Sequence, residues 1–134
     1  MTKKILIGTI TGFIVGSIMA GIIFFGLLGS MAEQWMKDHA SCLKEMDMMG
    51  GVFGSLIFSY LMAILLEKYD VKDFKSGAIT AAWITVLVVS WYAIWNVYTF
   101  TAYGWDWLPY DIIGNTVVGA VAGGVVGIVY GKLK

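Results

Sequence analysis

The sequence predicts an all-α integral membrane protein: a four-transmembrane-helix bundle with an extra amphipathic outer segment between helices 1 and 2. Three observations predict it. First, 59% of the 134 residues are hydrophobic and the mean hydropathy is +0.80, whereas a soluble domain is roughly 45–50% apolar. A soluble fold would leave too much of that surface in water. Second, four stretches, 5–29, 48–66, 77–101 and 112–130, approach or exceed the ~20 mainly apolar residues that cross a bilayer. Third, those stretches carry almost no charge, which is expensive to hold in lipid. The whole chain, 1–134, reads as one membrane domain.

The first span follows Met1-Thr2-Lys3-Lys4, and Ser30-Met31-Ala32 has the look of a cleavage site. The apolar run to Leu28 is longer than the ~7–15 residues of a signal core, so the segment reads as a retained helix. Segment 30–47 comes next. Ala32, Trp35, Met36, His39, Leu43 and Met46 recur at helical spacing, and Glu33, Lys37, Ser41 and Glu45 mark another face. With no Pro or Gly between Met31 and Met49, it reads as one amphipathic helix, lying on the membrane surface or prolonging the first span. The second and fourth spans are ~28 Å long at ~1.5 Å per residue and fit a bilayer with little tilt. The connection 102–111 is aromatic, contains the single proline, Pro109, and reads as a tight cap with Asp111 at the N-cap of the fourth span.

Lysine placement predicts orientation. Lys3, Lys4, Lys68, Lys72, Lys75, Lys132 and Lys134 fall on one side, and only Lys37 and Lys44 on the other. The positive-inside rule puts both termini and the 67–76 loop in the cytoplasm, with a bacterial inner membrane as the expected location. The opposite side bears Glu33, Asp38, Glu45, Asp47, Asp106 and Asp111. Trp35, Trp91, Trp95, Trp105, Trp107, Tyr98, Tyr103 and Tyr110 gather in that outer half as an aromatic belt.

Small residues recur every four positions: Gly8, Gly12, Gly16 and Ala20 in the first span, Gly51, Ser55, Ser59 and Ala63 in the second, Gly77, Ala81 and Thr85 in the third, and Gly119, Gly123, Gly127 and Gly131 in the fourth. Residues four apart share a helix face, and in lipid close backbone approach substitutes for hydrophobic drive. Gly8, Gly12, Gly16, Gly51, Gly119, Gly123 and Gly127 are therefore expected packing positions, with the first and fourth spans packed on each other or at least one stripe facing another subunit. The two halves of the chain have the same helix–loop–helix rhythm but no clear sequence repeat.

Several chemistries are excluded or disfavoured. All nine basic residues are lysine, without a basic patch, which argues against nucleic acid as a partner. One cysteine permits no internal disulfide, and one histidine no bis-histidine haem site. No nucleophile–base pair, metal triad or phosphate loop can be assembled, so the chain is not read as an enzyme and no cofactor is expected. His39-x-x-Cys42, amid Met31, Met36, Met46, Met48 and Met49, has donors suited to Cu(I), but no recognised copper motif is present. Cys42 could alternatively cross-link two subunits in an oxidising compartment.

The ligand-binding candidates lie in the outer half. Asp111 and Asn115, one turn apart, together with Asn96 could form a polar pocket, and an amide such as Asn96 would be unsatisfied facing lipid. Trp91, Trp95 and Tyr98 share one face of the third span, and Tyr92 and Asn96 a neighbouring one. Aromatic walls with a polar group suit an apolar ligand such as a lipid tail, quinone or pigment. Bundle packing or belt formation would use the same residues.

Known small membrane families fit poorly. Small multidrug-resistance exporters share the length and span count but rely on a glutamate inside the first helix, where 5–29 has no charge. Fluoride channels carry an arginine-containing signature, and this chain has no arginine. Quinone-linked thiol oxidases need cysteine pairs. The leading expectation is a structural or accessory membrane subunit or homo-oligomer, with membrane lipids and a larger membrane complex as partners. The alternative is a binding protein or transporter for a small apolar ligand at the outer end of the third span.

Overall fold

The computed structural model describes residues 2–43, 48–100 and 103–133. Lys44, Glu45, Met46 and Asp47 of the expected outer segment lie outside the described residues, as do Met1, Thr101, Ala102 and Lys134. Among the described residues the regular structure is all-helical. Helix α1 (Lys3–Ala20) runs into a wider π-helical stretch (Gly21–Leu27), followed by α2 (Gly29–Asp38), α3 (Met48–Lys68), α4 (Phe74–Thr99) and α5 (Leu108–Lys132). Four units, Lys3–Leu27, α3, α4 and α5, are long and apolar enough to cross a membrane.

Local chemistry sets the helix ends. Thr2 caps α1 by accepting from the Ile5 N–H at 3.2 Å, and Asp73 caps α4 by accepting from the Ser76 N–H at 2.9 Å. Asp70, at φ 52°, supplies the left-handed residue of the short α3–α4 turn. Two boundaries differ from expectation. Helix α5 starts at Leu108, with Pro109 in its first turn, because proline's fixed φ is pre-organised there. Trp107 therefore holds the cap position, and Asp111 lies inside the first turn rather than at the cap. Helix α2 stops at Asp38, short of the expected 30–47. The ring Nδ1 and the backbone N–H of His39 both donate to the Trp35 carbonyl, at 2.8 and 3.2 Å, and close the last turn.

The bundle is asymmetric. Helix α5 lies between α4 and α1, α3 packs on α1, and α3 touches α4 and α5 only slightly. At the end that holds both termini the core is dense: Met62, Leu66, Val71, Ala81, Val126 and Tyr130 form one buried cluster. The Tyr130 hydroxyl donates to the Ala63 carbonyl at 2.9 Å, its ring fills the space left by Gly8, and the Lys4 ammonium lies 4.8 Å from the ring centroid. Toward the other end α3 separates from the bundle, and residues 51–55 are all exposed. Outward faces are strongly apolar: Leu6, Ile10, Ile14 and Ile18 on α1 and Ile22 at the start of the π-helical stretch are all exposed.

The glycine row of α5 meets α4 and the turn before it, not α1. A Cβ at Gly119 would strike Thr85, at Gly123 Ala81, at Gly127 the Asp73 carbonyl, and at Gly131 the Lys72 carbonyl. Gly77 reciprocates against the Gly123 carbonyl. Small residues on both faces allow this approach. Beyond Gly8, where a Cβ would strike the Tyr130 ring, the α1 row is looser. A Cβ at Gly12 would come no closer than 3.7 Å to Val126 Cγ2, and one at Gly16 no closer than 4.0 Å to Ala122 Cβ. Gly51 has open space.

Candidate binding cavity

Where α3 leaves the bundle, a cavity of about 620 Å³ opens between all four long helices. That lies within the range of roughly 300–1,000 Å³ usual for small-molecule sites. Helix α1 contributes Phe13, Gly16, Ser17 and Ala20, and α3 contributes Gly54, Ser55, Phe58 and Ser59. Thr85, Val88, Val89 and Tyr92 come from α4, and Asp111, Asn115, Val118 and Gly119 from α5. A smaller void of about 60 Å³ continues toward the terminal end, lined by Gly8, Gly12 and Gly16 on α1 and by Gly119 and Gly123 on α5. Met62, Leu66 and Val126 of the Tyr130 cluster close it on that side.

The polar groups are unequally distributed. At the α2 end, Asn115 Nδ2 donates to Asp111 Oδ1 at 2.8 Å and to the Asp111 carbonyl at 2.9 Å. The two residues are one turn apart on α5, so helix geometry alone brings them together. The Tyr103 hydroxyl donates to Asp111 Oδ2. Burial, followed by that hydrogen bond and the carboxylate's charge, raises the Tyr103 phenol pKa above its ordinary value. At the other side of the cavity Thr85 is 1% exposed, and its Oγ1 has no hydrogen-bond partner among the described residues.

An aromatic group adjoins the Asp111 end. Trp35 of α2 stacks on Trp107 at 5.8 Å between ring centroids, meets Tyr103 edge-on at 6.4 Å and lies 4.9 Å from the His39 ring. Trp35 thus links α2 to Tyr103, and Tyr103 links it to the cavity carboxylate. A groove of about 510 Å³ lies alongside, lined by Gln34, Trp35, Asp38, His39, Asp106, Trp107 and Tyr110 among others.

Of the sequence candidates, Tyr92, Asp111 and Asn115 line the central cavity. Trp91 and Trp95, 72% and 60% exposed, turn outward from the bundle. Asn96 is buried but is not among the lining residues. His39 is engaged by Trp35, and Cys42 is exposed with Ser41 Oγ 3.6 Å from its sulfur. Among the described residues no three His, Cys, Asp or Glu side chains gather as a metal site. Sequence reasoning placed Tyr103 in the aromatic belt, did not single out Ser17 or Phe13, and took Thr85, Ser55 and Ser59 for packing residues. The signal for the latter three was hydroxyls standing in small-residue rows. No family model, curated protein or solved structure matches the chain.

Proposed function

We propose that this chain is a membrane-embedded binding protein that holds a small, largely apolar molecule in the central cavity. The observation that carries this reading is the cavity itself, built by all four long helices and combining apolar walls with a few polar groups. Lipid as the surrounding solvent accounts for the outward apolar rows, which exceed what a soluble monomer exposes. The lysine distribution supports both termini facing the cytoplasm, as in a bacterial inner membrane. On this reading α2 lies at the far surface, with Trp35 among the interfacial aromatics.

The test is native mass spectrometry of gently extracted protein. Wild type retains a small molecule, and Ser55→Phe, which places a ring in the cavity, does not. A bare wild-type chain, or equal retention by Ser55→Phe, overturns the reading. For orientation, a membrane-impermeant maleimide should label Cys42 in intact cells. Labelling only after lysis reverses the topology.

A second reading, self-association, draws on α3. Gly51 and Gly54 have no neighbour within 4 Å of a built Cβ, which leaves room for another helix beside them. The same spectra would show a dimer mass.

A further inference from the structure

The central cavity is closed on one side and open on another. Its α5 wall is buried or half-buried throughout. The wall residues that are exposed are Ser17, Gly54, Ser55 and Tyr92, on or beside the part of α3 that leaves the bundle. Gly54 lines the cavity, yet a Cβ there would meet nothing within 4 Å. Helix α2 does not fill this opening. It packs on the π-helical stretch and reaches Tyr103 and Trp107 through Trp35. The exposed neighbours along the chain, Val52, Phe53 and Ile57 on α3 and Leu87 and Trp91 on α4, are apolar. No charged residue occurs in 48–66 or 76–105. Helices of that composition put the opening against lipid rather than water.

The second observation is shape. The cavity and the narrower void beyond it share Gly16, Phe58, Ser59, Val118 and Gly119 as walls. Together they are lined from Gly8 to Ala20 on α1 and from Gly54 to Leu66 on α3, twelve positions each. That is ~18 Å along a helix at ~1.5 Å per residue. One leaflet takes about half of the ~30 Å hydrocarbon core. The space therefore has the depth of one leaflet and runs in the direction of its chains. It narrows from about 620 Å³ to about 60 Å³ on the way to Tyr130, whose ring fills the place beside Gly8. A rigid ring system would stop in the wide part, whereas a flexible chain reaches the narrow end.

We infer that the cavity takes an acyl chain of a bilayer phospholipid, which enters sideways past α3 with its methyl end toward Tyr130. This rests on the binding reading of the cavity and adds the class, source and direction of what is bound.

The test places the full chain in nanodiscs of a phosphatidylcholine carrying a diazirine at the methyl end of one chain. After irradiation, adducts are mapped by tandem mass spectrometry. Surrounding lipid labels outward faces in any case, so the exposed Ile14 and Ile18 serve as internal standards. The inference expects further adducts on Met62 and Ala122, which line the narrow void and are only 8% and 9% exposed. A diazirine beside the ester should move the inner adducts to Val89 and Asn115, which line the wide part. Ser55→Phe, and Gly54→Phe where open space accepts the ring, should each abolish the inner adducts and leave those on Ile14 and Ile18. Wild-type adducts confined to outward faces overturn the inference. So do inner adducts that persist in both variants or stay put when the diazirine is moved. If native spectra then still show a molecule that Ser55→Phe releases, the cavity binds something other than a lipid chain. A bare chain removes both readings.

Discussion

Two rows of glycine spaced by four do opposite things in this protein. On α5, Gly119, Gly123 and Gly127 form a seam with no room for a single carbon, because Thr85, Ala81 and the Asp73 carbonyl press against them. On α1, Gly12 and Gly16 border a void. What differs is the neighbour. Helix α4 offers its own small residues, so two backbones close on each other. Across from Gly12 and Gly16 lie Ser59, Val118, Ala122 and Val126, at ordinary contact distance, whereas the place beside Gly8 is filled by Tyr130. A small-residue row thus permits closeness without enforcing it. Where the facing backbones stay apart, as between α1 and α5, space is left over.

That contrast breaks most sharply at Gly123. Gly123→Leu forces a side chain into Ala81 and the Gly77 backbone. Overpacking of this kind costs about 3 kcal/mol or more, so unfolding in mixed detergent micelles should shift to much lower denaturant. Unchanged unfolding would remove the α4–α5 seam as the main fastening. A smaller effect of opposite sign is expected from Gly16→Ala. The added methyl finds its nearest neighbours at 4.0 Å, and alanine gains ~1 kcal/mol of helix propensity over glycine. The same unfolding assay should show equal or greater stability, and a loss would mean that α1 sits closer to α5 than described.

The smallest effect belongs to Tyr103, at the cavity mouth. Its folded pKa is raised above the unfolded value, foremost by burial. The neutral phenol therefore contributes stability in full below the ordinary value near ~10, and this is lost as pH rises through the higher folded value. Thermal unfolding of wild type should fall faster than that of Tyr103→Phe from about pH 10 upward. Parallel curves would detach Tyr103 from Asp111.

The four long helices were legible because length and apolarity are properties of a segment alone. So was the Asp111–Asn115 pair, which one turn of helix guarantees. Which helix the α5 glycines meet was not legible, since spacing reveals a face but not its neighbour. Thr85 was obscured for the same reason. A hydroxyl in a small-residue row reads as packing until the space around it is known. The early stop of α2 was hidden because no glycine or proline marks it. His39 ends the helix by directing two donors to one carbonyl, which composition does not signal.

The π-helical stretch between α1 and α2 acts like a gear with an odd number of teeth. Gly21–Leu27 follows wider turns, as in the bond from the Leu28 N–H to the Ile23 carbonyl. Each wide turn sets the chain back in phase, so the face that α1 directs inward is not the face α2 inherits. Trp35 reaches Trp107 in that altered phase. Deleting one residue from the stretch would rotate everything beyond it by ~100°, swinging Trp35 away from Trp107 and Tyr103. The dense terminal end, below the slip, would not register the change.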